Sequence, residues 1–223
     1  MHEPFHEGNI ESVGGRGRHV GNVEVDEARG KRTAEPRASA LPQWASVRMT
    51  TRDRRSSLEI VHDWRGRPIP QQETVRIDLA LDDAALTIDV AAPLHDDPKP
   101  PAPIGSCDGL WNHEVIELFL LGDDERYLEI ELGPWGHYLV LELAGPRRVV
   151  ASGRPIEFHA QRGQLGWTGR AVVPTHLIPE PIGLGNAYAI HGRGEARRYR
   201  ALHPVPGEEP DFHRLECFGP IGL

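Results

Sequence analysis

The side chains best suited to binding or catalysis lie between Trp111 and Gly136, in the run WNHEVIELFLLGDDERYLEIELGPWG. Acidic and aromatic residues alternate there with aliphatic ones, and the acids include Glu117, Glu129 and Glu131. Carboxylates at this spacing can accept hydrogen bonds from hydroxyl groups, bind a cation, or exchange protons with a substrate. The elements that carry them decide which of these uses is possible.

Alternation of apolar and polar residues predicts three antiparallel strands in this segment and the run that follows it. Successive side chains of a strand point to opposite faces of the sheet. We therefore predict one face made of leucine and isoleucine core residues and one acidic face. The acidic face is predicted to comprise Glu117, Phe119, Tyr127, Glu129, Glu131, Tyr138 and Glu142.

This acidic face needs a physical explanation, because like charges on neighbouring strands repel one another. The acids can be solvated, neutralised by arginines, or arranged around a ligand or a cation. Val115 and Phe119 share the face and would be unusual on a fully wet surface. We therefore expect a partly covered face, which means a groove.

The rest of the chain predicts an all-β fold, an antiparallel β-sandwich. Short strand-like runs recur between Gly, Pro and Asp turns, whereas helical periodicity is scarce. The first 40 residues are rich in Gly, Arg, Glu and His, and we predict a disordered tail over 1–40 and a single β-sandwich domain over 41–223. The further strand runs are 75–81, 84–92, 156–161, 167–173, 187–191 and 199–202.

Composition limits the classes of partner. The chain has 25 basic and 33 acidic residues, a formal net charge of −8, which disfavours nucleic acid as a partner. It contains neither a signal-type apolar segment at its start nor a run of about 20 apolar residues that would cross a membrane. We expect a soluble cytoplasmic protein with no nucleic acid or membrane partner.

Several runs resemble an uncharacterised protein family found in bacteria and animals: WNHEVIELFLL, YLEIELGPWGHYLVLEL, AIHG, RRYRALHPVPG and PDFHRLECFG. More distantly, the pattern is similar to family-9-type carbohydrate-binding modules, from about residue 58 to the C-terminus. The matching residues are Glu117, Phe119, Tyr127, Glu129, Glu131, Pro134, Gly136, residues 210–214, Phe218 and Gly219. The resemblance implies a carbohydrate-binding-module-like β-sandwich of the jelly-roll type with a sugar-binding face, and no known activity.

From these observations we predict binding rather than catalysis, with a saccharide or small polyol as the ligand. Flat aromatic rings can contact the C–H surface of a sugar, and carboxylates can accept bonds from its hydroxyls. Trp111 or Trp135 is the expected stacking platform. The predicted ligand-binding residues are Trp111, Glu117, Tyr127, Glu129, Glu131, Trp135, Tyr138, His191 and Arg214.

Three alternatives stay open. No cofactor is required by the sequence, but calcium or zinc could bind, with His203, Asp211 and His213 as weak candidate ligands. A hydrolase acting on a carbohydrate is the second alternative, either metal-dependent or based on Glu129 and Glu131, whose Cα atoms would be about 6.5 to 7 Å apart on one strand. A protein-interaction domain is the third alternative.

The C-terminal run Pro210–Arg214 is predicted to close over the acidic face. Arg214 or His213 would then act as a clamp that neutralises the crowded glutamates. In the metal alternative, Asp211 and His213 would complete a metal site instead.

Overall fold

A computed structural model of the chain describes residues 53–95 and 97–223, which form fourteen β-strands and five short 3-10 turns. The predicted all-β sandwich is confirmed, and each predicted strand run is present with its ends shifted by at most three residues. The predicted tail over 1–40 and the domain start at 41 lie outside the described residues, so both stay predictions.

The strands are β1 (Arg54–Ile60), β2 (His62–Asp63), β3 (Val75–Leu81), β4 (Ala85–Pro93), β5 (Gly105–Ser106), β6 (Val115–Leu121), β7 (Arg126–Leu132), β8 (His137–Ala144), β9 (Val149–Ser152), β10 (Glu157–Arg162), β11 (Gly166–Pro174), β12 (Leu184–His191), β13 (Arg198–Ala201) and β14 (Gly219–Pro220). The 3-10 turns are Gln71–Glu73, Leu110–Asn112, Thr175–Leu177, Gly194–Ala196 and Leu215–Cys217.

The strands form two sheets. The smaller sheet has the order β1-β3-β4-β11-β10, and the larger has the order β2-β13-β12-β6-β7-β8-β5. Strand β14 pairs with β12, and β9 pairs with β8. The short pairing of β5 with β8 is parallel, and the other strand pairs are antiparallel.

The interior core holds the aliphatic side chains of both sheets, as the period-2 alternation of the strands requires. In β3, for example, Val75, Ile77, Leu79 and Leu81 are buried while Arg76 is exposed. The larger sheet contributes Ile116, Leu118, Leu120, Leu128, Ile130, Leu132 and Val140.

The larger sheet is also buried on its second face, by a separate apolar cluster that we call the outer core. Its strand residues are Val115, Phe119, Tyr127, Leu139, Leu141, Leu143, Tyr188, Ile190 and Ala201. Its cover comes from loops and includes Trp64, Leu110, Val205 and Phe218. Burial of the sheet on both faces explains why nearly every residue of β6 and β7 is buried, including the glutamates.

The predicted register of β8 was wrong. Glu129 pairs with Leu141, and Glu131 pairs with Leu139, so the leucines of β8 share the acidic face. Tyr138 and Glu142 therefore lie on the opposite face. The sequence misled here because a strand that is apolar on both sides gives no alternation from which to choose a face.

The interior core generates a stability prediction. Ile130→Ala removes a fully buried side chain and is expected to lower the free energy of unfolding by about 2 to 5 kcal/mol. Leu165→Ala is the control, because Leu165 is 88% exposed and its loss is expected to cost less than about 0.5 kcal/mol. Urea denaturation of both variants measures the difference, and equal losses would contradict the burial described.

Candidate functional site

Three glutamates converge within the outer core, and we call them the carboxylate triad: Glu117, Glu129 and Glu131. Glu117 of β6 is the direct cross-strand partner of Glu131 of β7, and Glu129 lies two residues before Glu131 on the same face. One carboxylate oxygen from each residue lies within 4.8 Å of the other two. The hairpin register alone brings the three side chains together.

The carboxylate triad is almost completely shielded from solvent. Its members are 3%, 4% and 0% exposed in the order Glu117, Glu129 and Glu131. Both carboxylate oxygens of Glu131, and Oε2 of Glu129, accept no hydrogen bond from any described residue. Buried polar groups without partners are rare in proteins, because burial removes hydrogen bonds to water that nothing replaces.

Burial also changes the charge state of the carboxylate triad. It raises the pKa of Glu117 to about 8, and the positive charge of Arg197 opposes this only in part. The pKa values of Glu129 and Glu131 are raised well above their ordinary range by burial first and then by the neighbouring negative charges. At neutral pH Glu117 therefore holds a proton, and burial favours the protonated forms of Glu129 and Glu131, unless a positive charge joins the triad.

Aromatic side chains cover this face, so the groove expected from the sequence is not present. Phe119 contacts the rings of Tyr127, Tyr188 and Phe218, with centroids between 5.4 and 6.1 Å apart. Tyr127 is only 2% exposed, and its Oη atom lies 2.7 Å from Nδ1 of His213. The expectation of a partly open face was wrong because loops far apart in sequence pack over these strands.

The predicted clamp by Arg214 or His213 was also wrong. Arg214 pairs with Glu216 and donates to the carbonyl of Pro206, away from the carboxylate triad. Burial lowers the pKa of His213 to about 4, so this ring is neutral at pH 7 and cannot balance a carboxylate. Its partner in the structure is Tyr127.

The weak metal candidates do not join the carboxylate triad, which is the one group of three or more potential metal ligands among the described residues. Asp211 pairs with Arg147 at 2.7 Å. His203 packs against Gly219 and donates its backbone N–H to Asn186. An imidazole-containing zinc site at these positions is therefore not formed.

Trp111 is the one exposed aromatic side chain among the described phenylalanines, tyrosines and tryptophans, at 41% exposure. It lies in the 3-10 turn Leu110–Asn112, whose first residue is fully buried in the outer core. The guanidinium of Arg197 donates to the carbonyls of Trp111, Asn112 and Gly192. The backbone of the turn is therefore fixed on both sides of Trp111, by the buried Leu110 before it and by the hydrogen bonds of Arg197 at Trp111 and Asn112.

Trp135, the other predicted platform, is half-buried and already occupied. Its Nε1 atom donates to the carbonyl of Asp97 at 3.3 Å. The guanidinium of Arg162 lies 3.5 Å from the centre of its ring and covers one face. Less of the indole surface of Trp135 is therefore open to a ligand than of the indole surface of Trp111.

Two further predicted residues lie apart from the carboxylate triad. Tyr138 packs against the interior core beside Phe158. His191 stacks on His95, with ring centroids 3.4 Å apart, and Arg200 donates to its Nε2 atom at 2.9 Å. Burial lowers the pKa of His191 to about 3, so the ring accepts that bond as a neutral imidazole.

Sequence reasoning missed two anchoring residues. Arg197 holds the Trp111 turn, and Glu114 accepts hydrogen bonds from the backbone N–H groups of His95 and Asp97. Glu114 is 5% exposed, and its bonds fix the start of the proline-rich loop. The available signal was its place directly before a strongly apolar strand, where a charged residue needs a partner.

Comparison with known proteins assigns the family. The chain is 42% identical over 176 residues to the UPF0462 protein C4orf33 homolog of Mus musculus, a match that covers 74% of this chain and 90% of that protein. The human UPF0462 protein C4orf33 is 42% identical over 171 residues, covering 84% of its length. The chain belongs to the UPF0462 family. No family model matches it.

One solved structure resembles this UPF0462 protein in fold, and a second aligns more weakly. The crystal structure of a "putative carbohydrate-binding protein" from Bacteroides uniformis aligns with a TM-score of 0.56 at 16% identity, over 75% of this chain and 84% of that one. A carbohydrate binding module family 9 from Caldicellulosiruptor kristjanssonii in complex with cellotriose aligns with a TM-score of 0.38 at 12% identity, over 60% and 68% of the two chains. Within the described residues of the UPF0462 chain, no helix is long and apolar enough to cross a membrane.

The raised pKa of Glu117 predicts how stability depends on pH. A carboxyl group whose pKa is raised in the folded state contributes its full stabilisation at pH values below its ordinary pKa, near 4.5. This stabilisation is lost as the pH rises through the folded pKa of about 8. The buried histidines have lowered pKa values and the opposite sign, and their contribution is complete only about one pH unit above their ordinary value of 6.5. Because the histidines are unchanged in Glu117→Gln, stability in EDTA should fall more steeply in the wild type than in that variant between about pH 6.5 and 8.

Urea denaturation across that window, with EDTA present, measures the effect. Glu117→Gln should make the slope less steep, because an amide that does not titrate replaces one of the three carboxyl groups. Glu142→Gln is the control, since Glu142 lies on the opposite face in an ion pair with Arg154. The same slope in wild type and Glu117→Gln would show that Glu117 titrates normally.

Proposed function

We propose that this UPF0462 protein is a non-catalytic binding module for a saccharide or small polyol, and that Trp111 is its stacking platform. The observation that carries the proposal is the exposed indole of Trp111, whose backbone is fixed by Arg197 and by the buried Leu110. A rigid aromatic surface loses little conformational entropy when a ligand binds, so weak C–H contacts are not offset by an ordering cost.

Polar groups that suit hydroxyls flank this platform. Asp108 and Asn112 lie within three residues of Trp111 in the same loop, and both are exposed. A carboxylate accepts hydrogen bonds from hydroxyls, and an amide both donates and accepts them. An aromatic ring with these neighbours is the combination that a sugar ring requires. The likeness in fold to a Bacteroides uniformis protein described in terms of carbohydrate binding supports the same class of ligand.

The carboxylate triad is not part of this proposed surface. Glu129 and Glu131 are 4% and 0% exposed, so a saccharide in solution cannot reach either carboxyl group. A hydrolase needs its acid and its base or nucleophile on both sides of the bond that breaks. The geometry therefore favours binding at the surface over hydrolysis by these glutamates.

A glycan array followed by calorimetric titration at millimolar ligand tests the proposal. Wild type should bind at least one saccharide, and Trp111→Ala should weaken that binding by about tenfold or more, because the stacking surface is lost. Leu165→Ala is a matched control, since it removes an exposed apolar side chain elsewhere.

Two results would contradict the proposal. Unchanged affinity in Trp111→Ala would show that the ligand binds elsewhere on the protein. No binding to any saccharide by a correctly folded wild type would exclude this ligand class and favour a protein-interaction role. Circular dichroism and the melting temperature establish that each variant is folded.

A further inference from the structure

We propose that the carboxylate triad of Glu117, Glu129 and Glu131 binds a calcium ion inside the sandwich. This site is separate from the surface at Trp111 and does not depend on saccharide binding. It is formed by side chains of two adjacent strands, which the hairpin between β6 and β7 places in one register.

The spacing of the oxygen atoms fits a calcium ion. Calcium binds oxygen ligands at 2.3 to 2.6 Å, so two ligands on opposite sides of the ion lie about 5 Å apart. One oxygen of each glutamate lies within 4.8 Å of the other two, as ligands of one such ion must. Three carboxylates supply up to six oxygens, because each can bind through one or both.

The unpartnered oxygens are an independent indication of a missing positive charge. Glu131 is fully buried, and neither of its carboxylate oxygens accepts a hydrogen bond from a described residue. Oε2 of Glu129 likewise accepts no hydrogen bond from a described residue. A buried carboxylate is stable when it is paired or when it binds a metal.

The neighbouring strands supply no basic side chain to this group. Tyr188 of β12 is the cross-strand neighbour of Glu117, and Leu139 and Leu141 of β8 are the neighbours of Glu131 and Glu129. Arg197 carries the positive charge that partly opposes the raised pKa of Glu117. Its N–H groups already donate to three backbone carbonyls.

The all-oxygen ligand set selects among metals. Zinc and iron sites in proteins draw mainly on imidazole and thiolate, whereas calcium prefers carboxylate and carbonyl oxygens. His213 is bonded to Tyr127 and stands outside the group of ligand atoms. Magnesium dehydrates reluctantly and keeps several waters, which a site lined by Phe119 and Leu141 does not favour.

The competing explanation is that the three carboxyl groups share protons and bind no metal. The two explanations predict opposite effects of an amide. Glu131→Gln keeps the shape of the side chain but removes a charge, so it weakens a calcium site and is neutral or stabilising for a protonated cluster.

The test compares the full-length wild type after EDTA treatment with the same protein after addition of calcium, manganese, zinc or magnesium. Calcium should raise the melting temperature by about 5 to 10 °C at saturating concentration. Elemental analysis after dialysis should find about one calcium per chain. Glu131→Gln should abolish the thermal shift, and Glu142→Gln, on the opposite face of the same sheet, should keep it.

Several outcomes would overturn the assignment. No thermal shift with calcium in the wild type, or a full shift in Glu131→Gln, would leave shared protons as the explanation. Stabilisation by manganese or zinc but not by calcium would exclude calcium. If Glu131→Gln does not fold, calorimetric titration of calcium into EDTA-treated wild type decides, with Glu117→Gln as the second variant. Trp111→Ala should retain the calcium shift, which separates this result from the saccharide proposal.

Discussion

Burial of three carboxyl groups side by side is the constraint on which the rest of this structure depends. A buried ionised group costs several kcal/mol unless a charge or hydrogen bonds compensate it. The cost here is met by protons or by a cation, since no basic side chain occupies the neighbouring strand positions. Either solution requires that water is excluded, and the aromatic cover over Phe119 and Tyr127 provides this exclusion.

The same constraint connects the interior to the surface. Leu110 is fully buried in the outer core, and Trp111 follows it in the turn that covers this face. Burial and the neighbouring glutamates raise the pKa of Glu131 most, and the negative charge of Asp108 adds to them, so this loop lies close to the carboxylate triad. The surface platform and the buried acids are separate sites on one structural unit.

The fold could be predicted because alternation, turn residues and apolar runs agree with one another. The prediction that Glu117, Glu129 and Glu131 share one face was correct, because the hairpin fixes which positions of β6 and β7 pair. The face of β8 could not be predicted, since Leu139 and Val140 are both buried and alternation loses its meaning. A local pattern says which residues share a face but not what covers that face.

The site was harder to predict than the fold for the same reason. The cover over the carboxylate triad comes from Trp64, Leu110, Val205 and Phe218, which are far apart in sequence. Tertiary packing of this kind converted an expected groove into a buried cluster. Arg197 illustrates the point at the surface, because it binds the Trp111 turn across 86 residues of sequence.

The protonation state of the carboxylate triad tests this account most directly. Carbon-13 NMR of the glutamate carboxyl carbons distinguishes a neutral carboxyl from a carboxylate, and Glu117→Gln and Glu131→Gln assign the signals. In EDTA at pH 7, we predict at least one neutral carboxyl within the triad, which becomes a carboxylate when calcium is added. If all three carboxyl groups are ionised in EDTA and calcium leaves their signals unchanged, the account is contradicted.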